Sequence, residues 1–188
     1  TKELIDTTYD SNIQIPAIMA GYRIPGITSD DNTAIEMVSS VLSTGKSSRL
    51  YKKMVDEKKN SLQVGSFNNS MEDYGAYILY AIPNNNTDID TLLKDIDEEI
   101  VKLQTELISE AEFTKLQNQF ENDYLENNNR MIKVAENLAT GYTFYKNINN
   151  INVELDKIRK ITRQDIQLVA KKYLNTNQRV LLYYLPKK

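Results

Sequence analysis

Two neighbouring strand patterns in the first half of the chain constrain the fold most. Residues 74–82 are rich in Tyr and Ile, which suit a pleated and partly buried surface. Residues 62–67 form a second strand pattern, and the intervening residues 68–73 are polar and turn-forming. The sequence therefore predicts a β-hairpin, which places an antiparallel pair in the sheet.

Further strand patterns lie near the two ends of the chain. Residues 13–24 are apolar with partial alternation and end at the turn signal Pro25-Gly26. Pro16 cannot donate a ladder hydrogen bond, so this strand either begins after Pro16 or has its first part at a sheet edge. Residues 180–185 have the length and composition of a closing strand.

Amphipathic helices are predicted over most of the remaining chain. The first follows a cluster of capping residues at 28–31 and stops near Gly45. Apolar residues also recur at helical spacing over 48–58, 88–107, 113–124, 131–142, 153–160 and 166–173, with a loop at 147–152. Three asparagines at 127–129 are expected to interrupt or kink a helix, because their amides compete for backbone hydrogen bonds.

Two of these helices begin with capping signals. Ser109 and Glu112 have the spacing of a capping box, in which each side chain bonds the backbone N–H of the other residue. Thr162 and Asp165 form a variant of the same box. Both residue pairs are therefore expected to mark a helix start.

Strands and helices are segregated in this order of elements and do not strictly alternate. Such an order favours an α+β fold with two layers, in which helices pack on one face of a largely antiparallel sheet. The 188 residues are enough for a real core, and no linker is long enough to separate two domains. We therefore expect residues 1–188 to form a single domain.

Composition excludes several classes of chemistry. With a net charge of -3 and a pI near 5.2, the chain has no general attraction to nucleic acid or anionic membranes. It contains neither histidine nor cysteine, so serine–histidine triads, thiol catalysis, disulfides and histidine-bearing zinc sites are impossible within it. The cellular compartment stays open, because the lack of cysteine is compatible with any of them.

The tripeptide Gly45-Lys46-Ser47 resembles the end of a phosphate-binding loop. That motif also needs a glycine five residues before the Gly-Lys pair, where Ser40 stands, and a strand in front. An amphipathic helix precedes it here. We therefore interpret Gly45 as a helix-ending glycine.

Charged residues cluster on two of the predicted helices. Acids that lie within the helix at 88–106 suit a solvated face better than a metal site, since they lack a converging loop: Asp88, Asp90, Asp95, Asp97, Glu98, Glu99 and Glu106. The pairs Lys52-Lys53 and Lys58-Lys59 flank Asp56 and Glu57, which favours a surface helix of mixed sign over an anion site.

Several short phrases occur in a familiar order and spacing. They are Gly21-Tyr22-Arg23-Ile24-Pro25, Ser48-Arg49-Leu50-Tyr51, Asp56-Glu57-Lys58-Lys59, Ser109-Glu110-Ala111-Glu112-Phe113, Ile161-Thr162-Arg163-Gln164-Asp165-Ile166 and Ala170-Lys171-Lys172-Tyr173-Leu174. Together they resemble the second, non-catalytic domain of the pitrilysin/insulinase family of zinc peptidases, the relatives of mitochondrial processing peptidase. The resemblance covers nearly the whole chain.

This resemblance implies a pair of similar α+β domains, of which the first carries an inverted zinc motif, His-x-x-Glu-His, and a distal Glu ligand. A chain without histidine would be the companion that closes a chamber around an extended peptide. The implied cofactor is Zn²⁺ in the partner domain, with none on this chain. The implied partners are the N-terminal zinc-bearing domain of the same parent chain, a possible second peptidase-like subunit and the peptide substrate.

The resemblance also bears on substrate contacts. Some family members carry, in this type of domain, an Arg and a Tyr seven residues apart that contact substrate near the zinc. Alignment on Met54-Val55-Asp56-Glu57 puts Val55 at the Arg position and Leu62 at the Tyr position. Neither apolar side chain can hold a peptide carbonyl or its oxyanion. No catalytic, metal or substrate-binding residue is therefore predicted for this chain.

The start at Thr1 has no leader, and we expect the chain to be a fragment of a longer zinc metalloendopeptidase that is not catalytic by itself. The alternative function is a structural or assembly module from a family member without peptidase activity. A zinc motif upstream of Thr1 would distinguish the two possibilities.

Overall fold

A five-stranded sheet forms one layer of the described part of the protein, residues 2–84 and 87–187 of a computed structural model. Its strands are β1 (Leu4–Asp10), β2 (Ala17–Pro25), β3 (Ser61–Ser70), β4 (Tyr74–Pro83) and β5 (Arg179–Pro186). They lie in the order β1-β5-β2-β4-β3. The pair β1–β5 is parallel and the other three pairs are antiparallel, which confirms the predicted α+β fold with a largely antiparallel sheet.

The predicted hairpin is formed by β3 and β4. Phe67 pairs with Ile78 and Ser70 with Gly75, and Met71 N–H donates to the Tyr74 carbonyl (3.2 Å) across the turn. β2 begins at Ala17, directly after Pro16, and lies between β5 and β4. Of the two possibilities for Pro16, the structure confirms that the strand starts after it.

The helices are α1 (Asn32–Ser43), α2 (Ile89–Thr105), α3 (Glu110–Asn128), α4 (Met131–Thr143), α5 (Asn150–Lys160) and α6 (Arg163–Tyr173). The short helix predicted over 48–58 includes a π-helical segment, Tyr51–Glu57, that ends with Lys58 N–H donating to the Lys53 carbonyl (2.9 Å). The loop prediction for 147–152 was wrong at its last three residues. A turn in which Asn150 N–H donates to the Asn147 carbonyl (3.2 Å) leads directly into α5.

Only one of the two capping boxes is complete. In α6 the Thr162 hydroxyl accepts from Asp165 N–H (3.2 Å), and the Asp165 carboxylate accepts from Thr162 N–H (2.9 Å). In α3 Ser109 accepts from Glu112 N–H (3.1 Å), but the Glu112 carboxylate accepts from the Arg49 guanidinium at 3.0 and 2.7 Å instead. A charged donor attracts the carboxylate more strongly than a backbone N–H does.

Three helices cover one face of the sheet. α1, α2 and α6 contact the strands, whereas α3 contacts α1 and packs with α4 and α5. The largest buried side chains between the layers include Ile18, Tyr22, Ile24, Tyr77 and Leu79 from the sheet and Met37, Leu42, Leu92, Ile96 and Leu103 from helices. The predicted interruption at residues 127–129 is confirmed, because α3 ends at Asn128 and α4 begins at Met131.

The first strand, β1, was not predicted from the sequence. Leu4, Ile5 and Tyr9 are all exposed, and so are the polar residues between them. A strand with neither face buried has no hydrophobic alternation to reveal it. Its backbone partner, β5, lies at the other end of the chain.

Arg179 connects the two ends of the chain. It opens β5 and is only 3% exposed. Its guanidinium donates to Glu3 (2.8 Å from Nε), to Asp97 of α2 and to the Tyr22 hydroxyl (3.3 Å). Burial raises the pKa of Tyr22 to about 12 although Arg179 opposes that shift, so the phenol is neutral at ordinary pH.

We predict that Arg179→Met destabilises the fold by about 2 kcal/mol, because it removes charge-assisted hydrogen bonds that join β5 to Glu3 just before β1, to β2 and to α2. Arg159→Met is the matched control. Arg159 makes a similar two-nitrogen contact with Glu121, but its side chain is 53% exposed. Urea unfolding should show a much smaller loss for the control. Equal losses in both variants would mean that burial of the Arg179 pair is irrelevant.

Candidate functional site

One face of the sheet carries no helix of the described chain, and we call it the open face. Along β2 the buried residues Ile18, Ala20, Tyr22 and Ile24 face the helices. The alternate residues Met19 and Arg23 are exposed on the other side, as the two-residue period of a strand requires. We define the open face by the following residues on this side of the sheet: Leu4, Asp6, Met19, Gly21, Arg23, Gly65, Phe67, Tyr74, Ala76, Ile78, Tyr80, Val180 and Leu182.

The centre of the open face is apolar across all five strands. One cross-strand row runs Leu4, Val180, Gly21, Ile78, Phe67. Leu4, Val180 and Phe67 are exposed. The neighbouring row runs Asp6, Leu182, Met19, Tyr80, Gly65. With strands about 4.8 Å apart, the first row is about 19 Å long, which is large for an apolar surface left to water, while the second row is apolar only on β5, β2, β4 and β3 and ends at Asp6 of β1.

Two glycines shape this face in opposite ways. Gly65 lies under the Tyr80 ring, because a Cβ at Gly65 would come within 2.6 Å of the Tyr80 hydroxyl oxygen. At Gly21 a Cβ would meet only the Val180 carbonyl oxygen, at 3.8 Å. Gly21 therefore leaves a shallow recess between Val180 and Ile78, and a side chain from another surface can enter it.

A cation borders the apolar rows. The Arg23 guanidinium carbon lies 4.4 Å from the centre of the Tyr74 ring, in a cation–π contact. Within residues 2–84 and 87–187 no ion pair is formed by Arg23. The open face thus offers an apolar centre with the positive charge of Arg23 at one side and the carboxylate of Asp6 on β1.

Sequence reasoning missed the open face. A signal was present in β5, where Val180 and Leu182 are as apolar as the buried Leu181 between them. A strand that is apolar at both alternate positions predicts that both of its faces are covered. The strand order is also needed before such residues can be assigned to one surface.

Val55 and Leu62, the two positions singled out by the family resemblance, lie in different environments. Val55 belongs to the π-helical segment and packs against the core. Leu62 lies at an irregularity in β3, between the paired residues Ser61 and Gln63, and is exposed. The structure therefore does not bring the two side chains to a common surface.

The residues around Val55 and Leu62 are held by a network of charges. Lys53 Nζ lies 2.8 Å from Glu98, 3.2 Å from Glu99 and 3.6 Å from Asp95. Asp95 also accepts from Lys58 and from the Asn60 amide (2.7 Å). The segment between α1 and β3 is thereby fixed to α2 on both sides of Val55.

These contacts correct two predictions. The acids of α2 are not all on a solvated face, because Asp95 is 1% exposed and Glu99 is also buried. Likewise Lys53 and Lys58 are not simply part of a mixed-sign surface, since both bind Asp95. The cause lies in another element: the π-helical segment brings ammonium groups over α2 and makes burial of these carboxylates possible.

The charges shift the ionisation of the network. Burial alone raises the pKa of Asp95, but hydrogen bonds from Lys58 and Asn60 and the charges of Lys53 and Lys58 lower that pKa below its ordinary value. Burial also disfavours the charged form of Lys53, yet Glu98, Glu99 and Asp95 raise the pKa of Lys53 overall. Both groups are therefore charged at neutral pH.

Gly45 ends α1, as the sequence indicated. Its φ is +74°, a left-handed conformation that glycine adopts without strain. The preceding Thr44 N–H donates to the Ser40 carbonyl (3.2 Å), and the Ser48 hydroxyl donates to the Gly45 carbonyl (2.8 Å). A helix, not a strand, leads into Gly45-Lys46-Ser47, so the geometry of a phosphate-binding loop is missing.

Among residues 2–84 and 87–187, no three Asp or Glu side chains lie close enough together to hold a metal ion. None of the helices described there has the length and apolar character required to span a membrane.

Comparison with known proteins gives the family. The sequence model of the peptidase M16 inactive domain matches residues 2–120. This is more than half of the chain, which therefore belongs to the peptidase M16 inactive-domain family. The resemblance to the non-catalytic domain of zinc peptidases is thus confirmed.

Individual relatives agree with this assignment. The zinc protease PqqE of Helicobacter pylori is 25% identical over 178 residues, which cover 95% of this chain and 40% of that protein. The crystal structure of a protease from Helicobacter pylori matches with a TM-score of 0.89 and 24% identity, over 97% of this chain and 44% of that one. An inactive peptidase domain from Bordetella parapertussis matches with a TM-score of 0.82 and 20% identity, over 93% and 94% of the two chains.

The chain thus spans less than half the length of the Helicobacter proteins but nearly all of the Bordetella domain. A domain of this extent has therefore been crystallised on its own. The longer relatives contain a further part that is somewhat larger than this domain.

We predict that Asp95→Asn destabilises the protein by about 2 kcal/mol at pH 7, because charge-assisted bonds to Lys53 and Lys58 are lost. The pKa of Asp95 is lower in the folded than in the unfolded state. Its stabilisation is therefore complete above the unfolded pKa, about 3.9, and disappears as the pH falls through the folded pKa.

Urea unfolding at a series of pH values from 7 to 3 tests this expectation. Wild type should lose more stability than Asp95→Asn over that range, so the two curves should converge at low pH. Glu98→Gln is the control, because Glu98 binds the same Lys53 but is half-exposed and should matter less. Parallel curves for wild type and Asp95→Asn would contradict the assigned role of Asp95.

Proposed function

We propose that this domain is the non-catalytic companion of a zinc-bearing peptidase domain and helps to form a chamber that holds an extended peptide. The observation that carries the proposal is the open face of a domain that belongs to an inactive peptidase family. The apolar centre of the open face suits contact with another domain or with a peptide. The same face offers an array of exposed apolar side chains in Leu4, Met19, Phe67 and Val180.

The residue composition of the chain is consistent with a non-catalytic role. A zinc site of the inverted-motif type needs two histidines, and this chain has none. In the proposal Zn²⁺ is therefore held by the companion domain, and the water that attacks the peptide bond is activated there. Val55 and Leu62 supply no charge or hydroxyl to the substrate, so this domain contributes shape and apolar contacts.

A reconstitution experiment tests the proposal. The companion domain of the parent protein and this chain are produced as separate polypeptides, and cleavage of a fluorogenic extended peptide is measured for each one and for the mixture. We expect cleavage only in the mixture. Removal of zinc with a chelator should abolish cleavage and leave the circular dichroism of this chain unchanged.

Two variants of this chain locate the contact. Met19→Glu places a charge at the centre of the open face and should lower kcat/KM of the mixture at least about tenfold, since a buried unpaired charge is costly. Leu168→Glu on α6 is the matched control, because Leu168 is also exposed but belongs to the helical layer. Its activity should equal that of wild type.

Full activity of the companion domain by itself would refute the proposed role. A mixture that forms a complex but cleaves no peptide would favour the alternative, in which the domain is a structural or assembly module. Equal effects of Met19→Glu and Leu168→Glu would remove the open face from the proposal.

A further inference from the structure

Helix α4 exposes an apolar stripe to solvent. At 100° per residue, Met131, Ala135, Leu138 and Tyr142 fall on one side of the helix within about 60°. All four are exposed, Met131 to 92% and Tyr142 to 71%. We call this set the α4 stripe. The side that packs with α3 and α5 includes the half-buried Val134 and the buried Gly141.

An amphipathic helix normally turns its apolar side toward the protein. In α4 the apolar side chains of the stripe face outward, while the buried residue of the helix is a glycine, Gly141. The 13 residues of α4 make the stripe about 20 Å long. Ile132, which is also exposed, lies at its border. A continuous exposed surface of this kind marks a contact with another protein surface.

We propose that the α4 stripe docks on the companion domain of the parent protein, as an interaction surface separate from the open face. This inference rests on the proposed function, from which it takes the existence of a companion.

The length of the relatives favours the companion over a second copy as the occupant. This chain covers 40% of the Helicobacter protein and 44% of the solved Helicobacter chain, so each contains a further part of at least comparable size. A tethered domain is present at an effective concentration of about millimolar, which a second copy in free solution rarely reaches. The tethered surface therefore occupies the stripe first.

The chemistry of the stripe defines what it can contact. It carries no charge, and Met131 and Leu138 have flexible or branched side chains that fill irregular gaps. Tyr142 combines a large apolar ring with a hydroxyl, as residues that anchor interfaces do. The complementary surface on the companion is therefore apolar, with a hydrogen-bond partner for one hydroxyl group.

Isothermal titration of the separately produced companion domain with this chain tests the inference. Tyr142→Glu should weaken binding at least about tenfold, because the interface would have to bury an unpaired carboxylate. Leu168→Glu on α6 is the matched control and should bind within a factor of two of wild type. Circular dichroism of both variants checks that the helices are intact, and since Tyr142 is 71% exposed no loss is expected.

Each result has one meaning. Tight binding by wild type with no effect of Tyr142→Glu overturns the α4 contact but leaves the proposed function standing. Absence of binding by wild type overturns both. If sedimentation shows that this chain dimerises alone and that Tyr142→Glu abolishes only the dimer, the occupant is a second copy and the companion assignment is wrong.

Discussion

The position of the last strand governs the assembly of the whole domain. β5 lies between β1 and β2, so the two ends of the chain meet within the sheet. Leu4 pairs with Val180, and the contact of Arg179 with Glu3 closes a loop that contains almost the entire chain. Loop closure costs only about 0.6 kcal/mol for each doubling of length, but such distant pairing slows folding. Any change that loosens β5 therefore loosens β1 and β2 as well.

This arrangement explains which parts of the fold could be predicted from the sequence. The hairpin and the helices could be predicted because their signals are local. The alternation of apolar residues in a strand, the apolar stripe of a helix and the capping residues at its start all lie within a few residues of one another. β1 depends on a partner about 176 positions away and has no buried face of its own. Asp95 and Glu99 resemble surface acids for a similar reason, because the lysine that permits their burial belongs to another element. Local patterns report local structure and miss partners that only the fold supplies.

The open face and the α4 stripe could not be predicted from local sequence patterns either. In β5, side chains on both sides of the strand are apolar, and in α4 the apolar stripe is as regular as that of a core helix. The sequence shows that these residues need to be covered but does not show by what. Only the fold reveals that α1, α2 and α6 cover one face of the sheet while the open face and the α4 stripe remain exposed.

Exposed apolar area of this extent has an energetic consequence. Burial of apolar surface contributes about 25 cal/mol per Å², so covering even 400 Å² of it would contribute about 10 kcal/mol before the costs of association. The charge network differs from this apolar surface, because buried ion pairs add little net stability but fix the geometry of the groups that they join. Lys53, Lys58 and Asp95 hold the segment that carries Val55 and Leu62 in place without presenting a reactive group. A rigid framework and exposed apolar surface are the properties expected of a domain that positions another domain. In the proposed peptidase, the reacting groups belong to that other domain.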